Sequence, residues 1–430
     1  MENHQIKIAI FGPGPAFKGG IAHFSMSLAA AFSELANTQV YFFSWKNQYP
    51  SIIPRDFKDK TSKDNPLDQH HIRPAYLLDF NNPLSWKYTA LKIAEVKPNL
   101  LIVQWAIAIQ GLPLSAMLKR FKKLMPDCQI IFDVHNVVQK ENSRIDRYFT
   151  RKAFALANKF IVHGDLTVTE FQSFFPDWEV KVGSEGFNYT EPTRQILKLY
   201  HPNYELFDGY QEFDVTEFKN KLGLKGFVFL FFGFIRPYKG LHHVLRAFAE
   251  FSKKYPDCTL LIAGESFWAK AQSGSWPQKL QNFVFGFIKR LLMGKGNNDA
   301  DYQPLKLVAE LGIEDRVVTV NTFIPNEAVH QYFKASDAVL NFYEYATPSG
   351  IESIAYQFGV QIVATPVGHF RYAIKSGING YLSEGFETAQ LLKAMEAACH
   401  QPIAKEKVKD YACQFSWKNY VSAILNGWNK

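Results

Sequence analysis

Only four cysteines occur in 430 residues, and they stand far apart at Cys128, Cys258, Cys399 and Cys413. No C-x-x-C pair exists, which argues against a disulfide framework or a thiolate zinc site and fits a reducing compartment. Long hydrophobic runs are also missing. The longest, FVFLFFGFI at 227–235, is far too short to span a bilayer. The opening MENHQIKIAIFGPG lacks the apolar stretch of a secretion signal and reads as a polar lead-in to a first strand. No Lys/Arg block of the kind used as a nucleic-acid tail appears, although the net charge is +8. The expectation is a cytoplasmic chain, at most peripheral on the inner face of a membrane, with no nucleic-acid partner.

What is present is an ordinary globular composition, 47% hydrophobic and 20% charged, enriched in aromatics with 38 Phe. A chain of this length exceeds one ordinary core, so two domains are expected. Short β-branched and aromatic runs recur: IKIAIFG, QVYFFSW, NLLIVQW, QIIFDVH and KFIVHG. From residue 226 a second series follows: GFVFLFFGFI, TLLIAGE, RVVTVNTF, AVLNFYE and QIVATPV. Amphipathic segments lie between them, the pattern of buried parallel strands joined by helical crossovers. The two series share a phrase, a Pro-Asp-Cys turn before a strand, at 126–128 and 256–258. The predicted class is α/β, with two doubly wound, Rossmann-like domains facing across a cleft. Residues 1–190 form the first domain and 191–225 a polar, turn-rich linker. Residues 226–410 form the second domain, and the final helix, 411–430, crosses back to the first.

Ligands of such sheets bind outside the carboxyl ends of the strands. Glu344 follows the AVLNFY strand, and eight residues on, Glu352 lies in the first turn of a helix opened by Ser349 and Gly350. Ser349 and Glu352 also spell a capping box, so Glu352 could serve its own helix alone. Alternatively, the free N–H groups at Ser349 and Gly350 receive an anion. The turn after FVFLFFGFI carries Arg236 and Lys239 beside Gly240. Two cations at a strand end next to a helix start suit a phosphate clamp, against the plainer alternative of a solvated turn.

With these motifs in view, the chain resembles a family-4 retaining glycosyltransferase of the GT-B fold, most densely from 228 to 382. The resemblance rests on the E-x7-E pair Glu344 and Glu352, the Lys239-Gly240 turn and the segment QIVATPVGHFRYAIKSGINGYL. It implies that Arg236 and Lys239 bind the donor diphosphate. Glu344 would then contact the transferred sugar and Glu352 the nucleotide ribose, since ionised carboxylates are acceptors for hydroxyl pairs. Gly19 and Gly20 resemble the family's N-terminal loop that reaches toward the donor phosphate, and His135 its cleft histidine near the reacting sugar. The implied activity is transfer of a sugar from a nucleotide-diphosphate sugar to a glycan or lipid-linked acceptor in cell-surface polysaccharide synthesis, without metal or cofactor. Three positions depart from the family: Phe234 where an arginine is usual, His369 in place of a second glycine, and Tyr372 in place of an acid. They leave room for a catalytically silent sugar-nucleotide-binding or membrane scaffold protein of the same fold, and a sugar-nucleotide epimerase or phosphorylase is a further rival. A nicotinamide site is a poor fit, because G-x-G-x-x-G spacing is absent.

Asp133 lies inside its strand pattern and reads as structural, and His163 matches nothing specific. Asp299 and Asp301 spell D-x-D in a polar loop that follows no strand, and read as solvated. The segment 277–296 places Leu280, Phe283, Val284, Phe287, Ile288 and Leu291 on one helical face, with basic residues elsewhere. Such a helix suits an anionic membrane surface, or packing on its own domain.

Overall fold

The computed structural model describes residues 5–51, 57–137, 144–207, 213–266 and 302–428. The segment 277–296 and the Asp299–Asp301 loop lie outside the described residues. The first domain holds eight strands: β1 (Ile6–Phe11), β2 (Thr38–Asn47), β3 (Ala75–Asp79), β4 (Leu100–Trp105), β5 (Gln129–Val134), β6 (Lys159–Val162), β7 (Val180–Gly183) and β8 (Arg194–Lys198). They lie in the order β3-β2-β1-β4-β5-β6-β8-β7. The second domain holds β9 (Phe227–Phe232), β10 (Cys258–Ala263), β11 (Val317–Val320), β12 (Ala338–Asn341), β13 (Gln361–Ala364) and β14 (Gly380–Leu382), in the order β11-β10-β9-β12-β13-β14. Every described strand pairing is parallel.

The predicted strand runs became strands for the expected reason. Helices cover both faces of these sheets, so β4, β10 and β13 are buried along their whole length and draw mostly on apolar residues. One boundary moves. β8 pairs with β6 and β7, so the first domain runs to Lys198, eight residues past the predicted end at 190. Its sequence, RQILK, sits inside a polar tract and has only three buried residues, too few to stand out as a run. The shared Pro-Asp-Cys phrase also misleads in detail: it precedes β5 in one sheet and β10 in the other, which occupy different places in the common strand order.

A continuous apolar cluster joins the domains. Ile8, Phe24 and Ile102 of the first belong to the same buried cluster as Leu230, Phe232 and Ala364 of the second. The Trp417–Leu425 helix packs on the Gly20–Ser33 helix of the first domain, with Phe24 edge-on to Trp417 and Tyr420 at 4.9 and 5.9 Å. In the connecting tract, Tyr204 is 1% exposed, and its hydroxyl donates to the Gly20 carbonyl at 2.8 Å.

Candidate active site

The carboxyl ends of β9 and β12 deliver the charged residues. After β9 the chain passes Gly233 and Arg236, winds a 3-10 turn at Pro237–Lys239 and enters the Leu241–Lys254 helix. Gly240 takes φ 66°, and a Cβ there would run into the Phe342 carbonyl oxygen. Only glycine fits, because the turn is pressed against the segment that follows β12. The Glu344 N–H donates to the Tyr238 carbonyl at 2.8 Å, so the two sequence motifs form one backbone-locked unit.

Lys239 turns inward. It is 8% exposed, with Nζ 3.5 Å from the Phe232 carbonyl and 5.8 Å from the Tyr343 ring centre. No carboxylate pairs with it among the described residues. Burial, reinforced by the nearby Arg236 guanidinium, pushes its pKa down to about 7. The solvated-turn alternative therefore fails for this lysine. Arg236 is half-buried with its guanidinium 5.3 Å from the Tyr238 ring centre. A Cβ on Gly233 would lie 2.9 Å from Lys239 Nζ and 3.3 Å from Ile351 Cδ1, which places the lysine beside the next helix start.

That helix, Gly350–Gln357, is capped by Ser349, whose Oγ accepts the Ile351 N–H at 3.3 Å. Glu352 does not close a capping box. Its Oε1 accepts the Tyr356 hydroxyl at 3.1 Å and its Oε2 lies 3.2 Å from His369 Nε2. Burial opposes the charged form of His369, but the Glu352 carboxylate outweighs it and the imidazole pKa rises. His369, which stands where the family has a second glycine, is thus an ion-pair partner of the second motif glutamate. Both line a cavity of about 220 Å³ between the domains, with Gly164, His201 and Ser353. Beside Gly350 the space is filled by Tyr204, whose ring carbon would be 2.7 Å from a Cβ on that glycine. Glu344 is half-exposed, and His242 Nε2 and His243 Nε2 stand 3.6 and 3.8 Å from its Oε1.

The first domain supplies the opposite wall. Gly19, at φ 110°, ends the loop that opens the Gly20–Ser33 helix and faces the Phe234 ring. Lys18 reaches across to Glu265 at 3.1 Å, and His23 Nε2 to Asn326 Oδ1 at 2.7 Å. His135 follows β5 and lies 2.7 Å, through Nε2, from Gln104 Oε1; burial lowers its pKa to about 4. Below it, buried Asp133 receives His163 Nε2 at 2.8 Å, the Tyr420 hydroxyl at 3.1 Å and Gln104 Nε2 at 3.4 Å. Burial opposes its ionisation, but His163 holds its pKa below the usual value all the same.

The fold therefore gathers Arg236, Lys239, Glu344, Ser349, Gly350 and Glu352 on one wall, with Gly19 and Gly20 across from them. His135 stands apart, packed edge-on against Phe24 at 4.7 Å within a histidine cluster. The sequence did not reveal Tyr204, which sits in a polar tract without periodicity. Nor did it reveal His242 and His243, although two imidazoles one residue past the Lys-Gly turn were a visible signal.

Comparison with known proteins places these features. Residues 212–415 match the family model of the glycosyl transferases group 1. The chain is 32% identical over 212 residues to D-inositol 3-phosphate glycosyltransferase of Mycolicibacterium vanbaalenii, covering 46% of this chain and 40% of that relative. It thus spans less than half the length of that curated relative. Anabaena HepE in complex with UDP-glucose superposes with a TM-score of 0.61 at 16% identity, covering 97% and 98% of the two chains. Sucrose-phosphate synthase from Thermosynechococcus elongatus gives 0.60 at 17%, covering 99% and 98%.

Proposed function

We propose that this GT-B chain, with a glycosyl transferases group 1 domain over 212–415, moves a sugar from a nucleotide-diphosphate sugar to a glycan or lipid-linked acceptor, with retention at the anomeric carbon. The observation that carries this reading is Lys239, a buried cation with no carboxylate beside it among the described residues. A charge buried that way is costly unless an anion arrives. It sits at the carboxyl end of β9 and next to a helix N-terminus, where a diphosphate would complete the site.

As the sugar–phosphate bond breaks, the diphosphate gathers negative charge and the sugar becomes oxocarbenium-like. Arg236, Lys239 and the helix opened by Ser349 and Gly350 stabilise that charge, a contribution of several kcal/mol when prearranged. The acceptor hydroxyl attacks the anomeric carbon from the face the phosphate leaves, and its proton passes to the departing phosphate oxygen. Glu344 accepts from sugar hydroxyls and Glu352 from the ribose, with His369 holding the second carboxylate in place. His135, kept neutral, lies on the acceptor side. The protein's own cations carry the charge stabilisation, and no cofactor enters the scheme. The names of the relatives support the class: one is a glycosyltransferase and HepE holds UDP-glucose. A role in cell-surface polysaccharide synthesis, at the inner membrane face through 277–296, fits the net charge of +8. Among the described residues no helix is long and apolar enough to cross a membrane.

The test is turnover. Lys239→Met should lower sugar transfer, or donor hydrolysis, at least ~100-fold, the scale of losing one prearranged charge donor. Its thermal midpoint should hold or rise, because a buried unpaired charge is removed. Near-normal turnover would sink the clamp. Donor binding without turnover in the unaltered protein would favour a silent binding protein, the reading that Phe234, His369 and Tyr372 keep in play.

A further inference from the structure

Glu344 has two neighbours that sugar transfer does not use. We propose that His242, His243 and Glu344 form a three-ligand site for a divalent transition metal, zinc above all, at the lip of the cleft. One ring nitrogen of each histidine and a Glu344 oxygen all lie within 4.8 Å of one another. Consecutive residues on a helix project about 100° apart. Here both rings nevertheless turn toward the same carboxylate, with centroids 4.0 Å apart.

The separations to Glu344, 3.6 and 3.8 Å, are too long for hydrogen bonds. The three groups are gathered without being joined, which leaves a gap of ionic size. Tetrahedral zinc, with bonds of about 2.0–2.1 Å, holds its ligands roughly 3.3 Å apart, so each histidine–Glu344 separation needs to close by only a few tenths of an ångström. The other cluster of this kind among the described residues, Asp133 with His135 and His163, differs: Asp133 is already hydrogen-bonded to His163 at 2.8 Å, and His135 to Gln104 at 2.7 Å.

The donor set suits the ion. Two imidazoles and one carboxylate, with the carboxylate 48% exposed, leave a fourth position open to solvent. Outer support is present too. The Tyr302 hydroxyl lies 2.9 Å from His242 Nδ1 and accepts the His242 N–H at 3.2 Å, so Nε2 is left facing Glu344. Both ligand-bearing segments are fixed by the backbone contacts of Gly240 with Phe342 and of Glu344 with Tyr238.

Bound zinc would take the carboxylate that the sugar needs. The metal site stands on geometry alone, whereas this consequence rests on Glu344 contacting the donor sugar. Zinc should then compete with the nucleotide sugar and spare the free nucleoside diphosphate.

The experiment uses tag-free, metal-stripped full-length protein, titrated with zinc by calorimetry and with cobalt by its visible absorption. One equivalent should bind, and His243→Ala and the bulkier His243→Gln should each weaken it at least ~10-fold, the minimum seen even for outer partners. His135→Ala should leave zinc affinity unchanged. Equal zinc binding by the parent and both His243 variants, or no binding by the parent, overturns the site. Zinc that binds through His243 yet leaves nucleotide-sugar affinity untouched supports the site and overturns the role of Glu344 toward the donor.

Discussion

On the N-terminal wall of the cleft the polar groups satisfy one another: Asp133 takes His163, Tyr420 and Gln104, and Gln104 takes His135. On the C-terminal wall Lys239 is also enclosed, yet among the described residues its Nζ reaches only a carbonyl at 3.5 Å. The two walls use the same parallel-sheet plan and the same strand ends. One is a finished network that holds shape, the other an unfinished one that the proposed diphosphate would complete. Burial acts on both, lowering His135 to about 4 and Lys239 to about 7. At neutral pH His135 is therefore a neutral imidazole, while Lys239 holds its proton far less firmly than an exposed lysine.

That contrast can be broken most severely from the N-terminal side. Asp133→Ala strips a buried charge from its hydrogen-bonded partners and should cost about 3–5 kcal/mol of stability, read by denaturant unfolding. A change under 1 kcal/mol would show that the network is incidental. The glutamates should separate next. Glu352→Gln should weaken nucleoside diphosphate binding about 10-fold, while Glu344→Gln should spare it and weaken only the sugar-bearing donor, on the scale of one charged hydrogen bond. Calorimetry with both ligands on both variants decides, and the reverse pattern would exchange their roles.

A subtler test uses protons. An arriving diphosphate favours charged Lys239 and raises its pKa above 7. Between the free and bound values, binding must then draw in up to one proton, and affinity falls as pH climbs. At pH 8, calorimetry in two buffers of different ionisation enthalpy should reveal the uptake, and Lys239→Met should abolish it. Smallest of all, Tyr204→Phe deletes one hydrogen bond between linker and first domain and should cost about 1 kcal/mol in thermal unfolding.

Much of this was legible beforehand where burial dictates composition. Strands buried on both faces must be largely apolar, so β4, β9 and β10 announce themselves. The short or edge strands β3, β7, β8 and β14 do not, because partial burial relaxes that demand. At the site, Arg236, Lys239, Glu344 and Glu352 were visible as charges at strand and helix ends. Their states were not. That Lys239 is enclosed, or that Glu352 leans on His369 rather than on its own helix start, depends on which distant segment packs above them. His369 is seventeen positions from Glu352, and no local spacing encodes the pairing.

Tyr204 carries a mechanical consequence. Its hydroxyl holds the carbonyl of Gly20 while its ring lies against Gly350, so one side chain of the connecting tract gauges both helix starts at once. A methyl group at position 350 would displace that ring and be felt on the opposite domain as a loosened Gly20. Tyr204 is thus the side chain through which the two helix starts bear on each other.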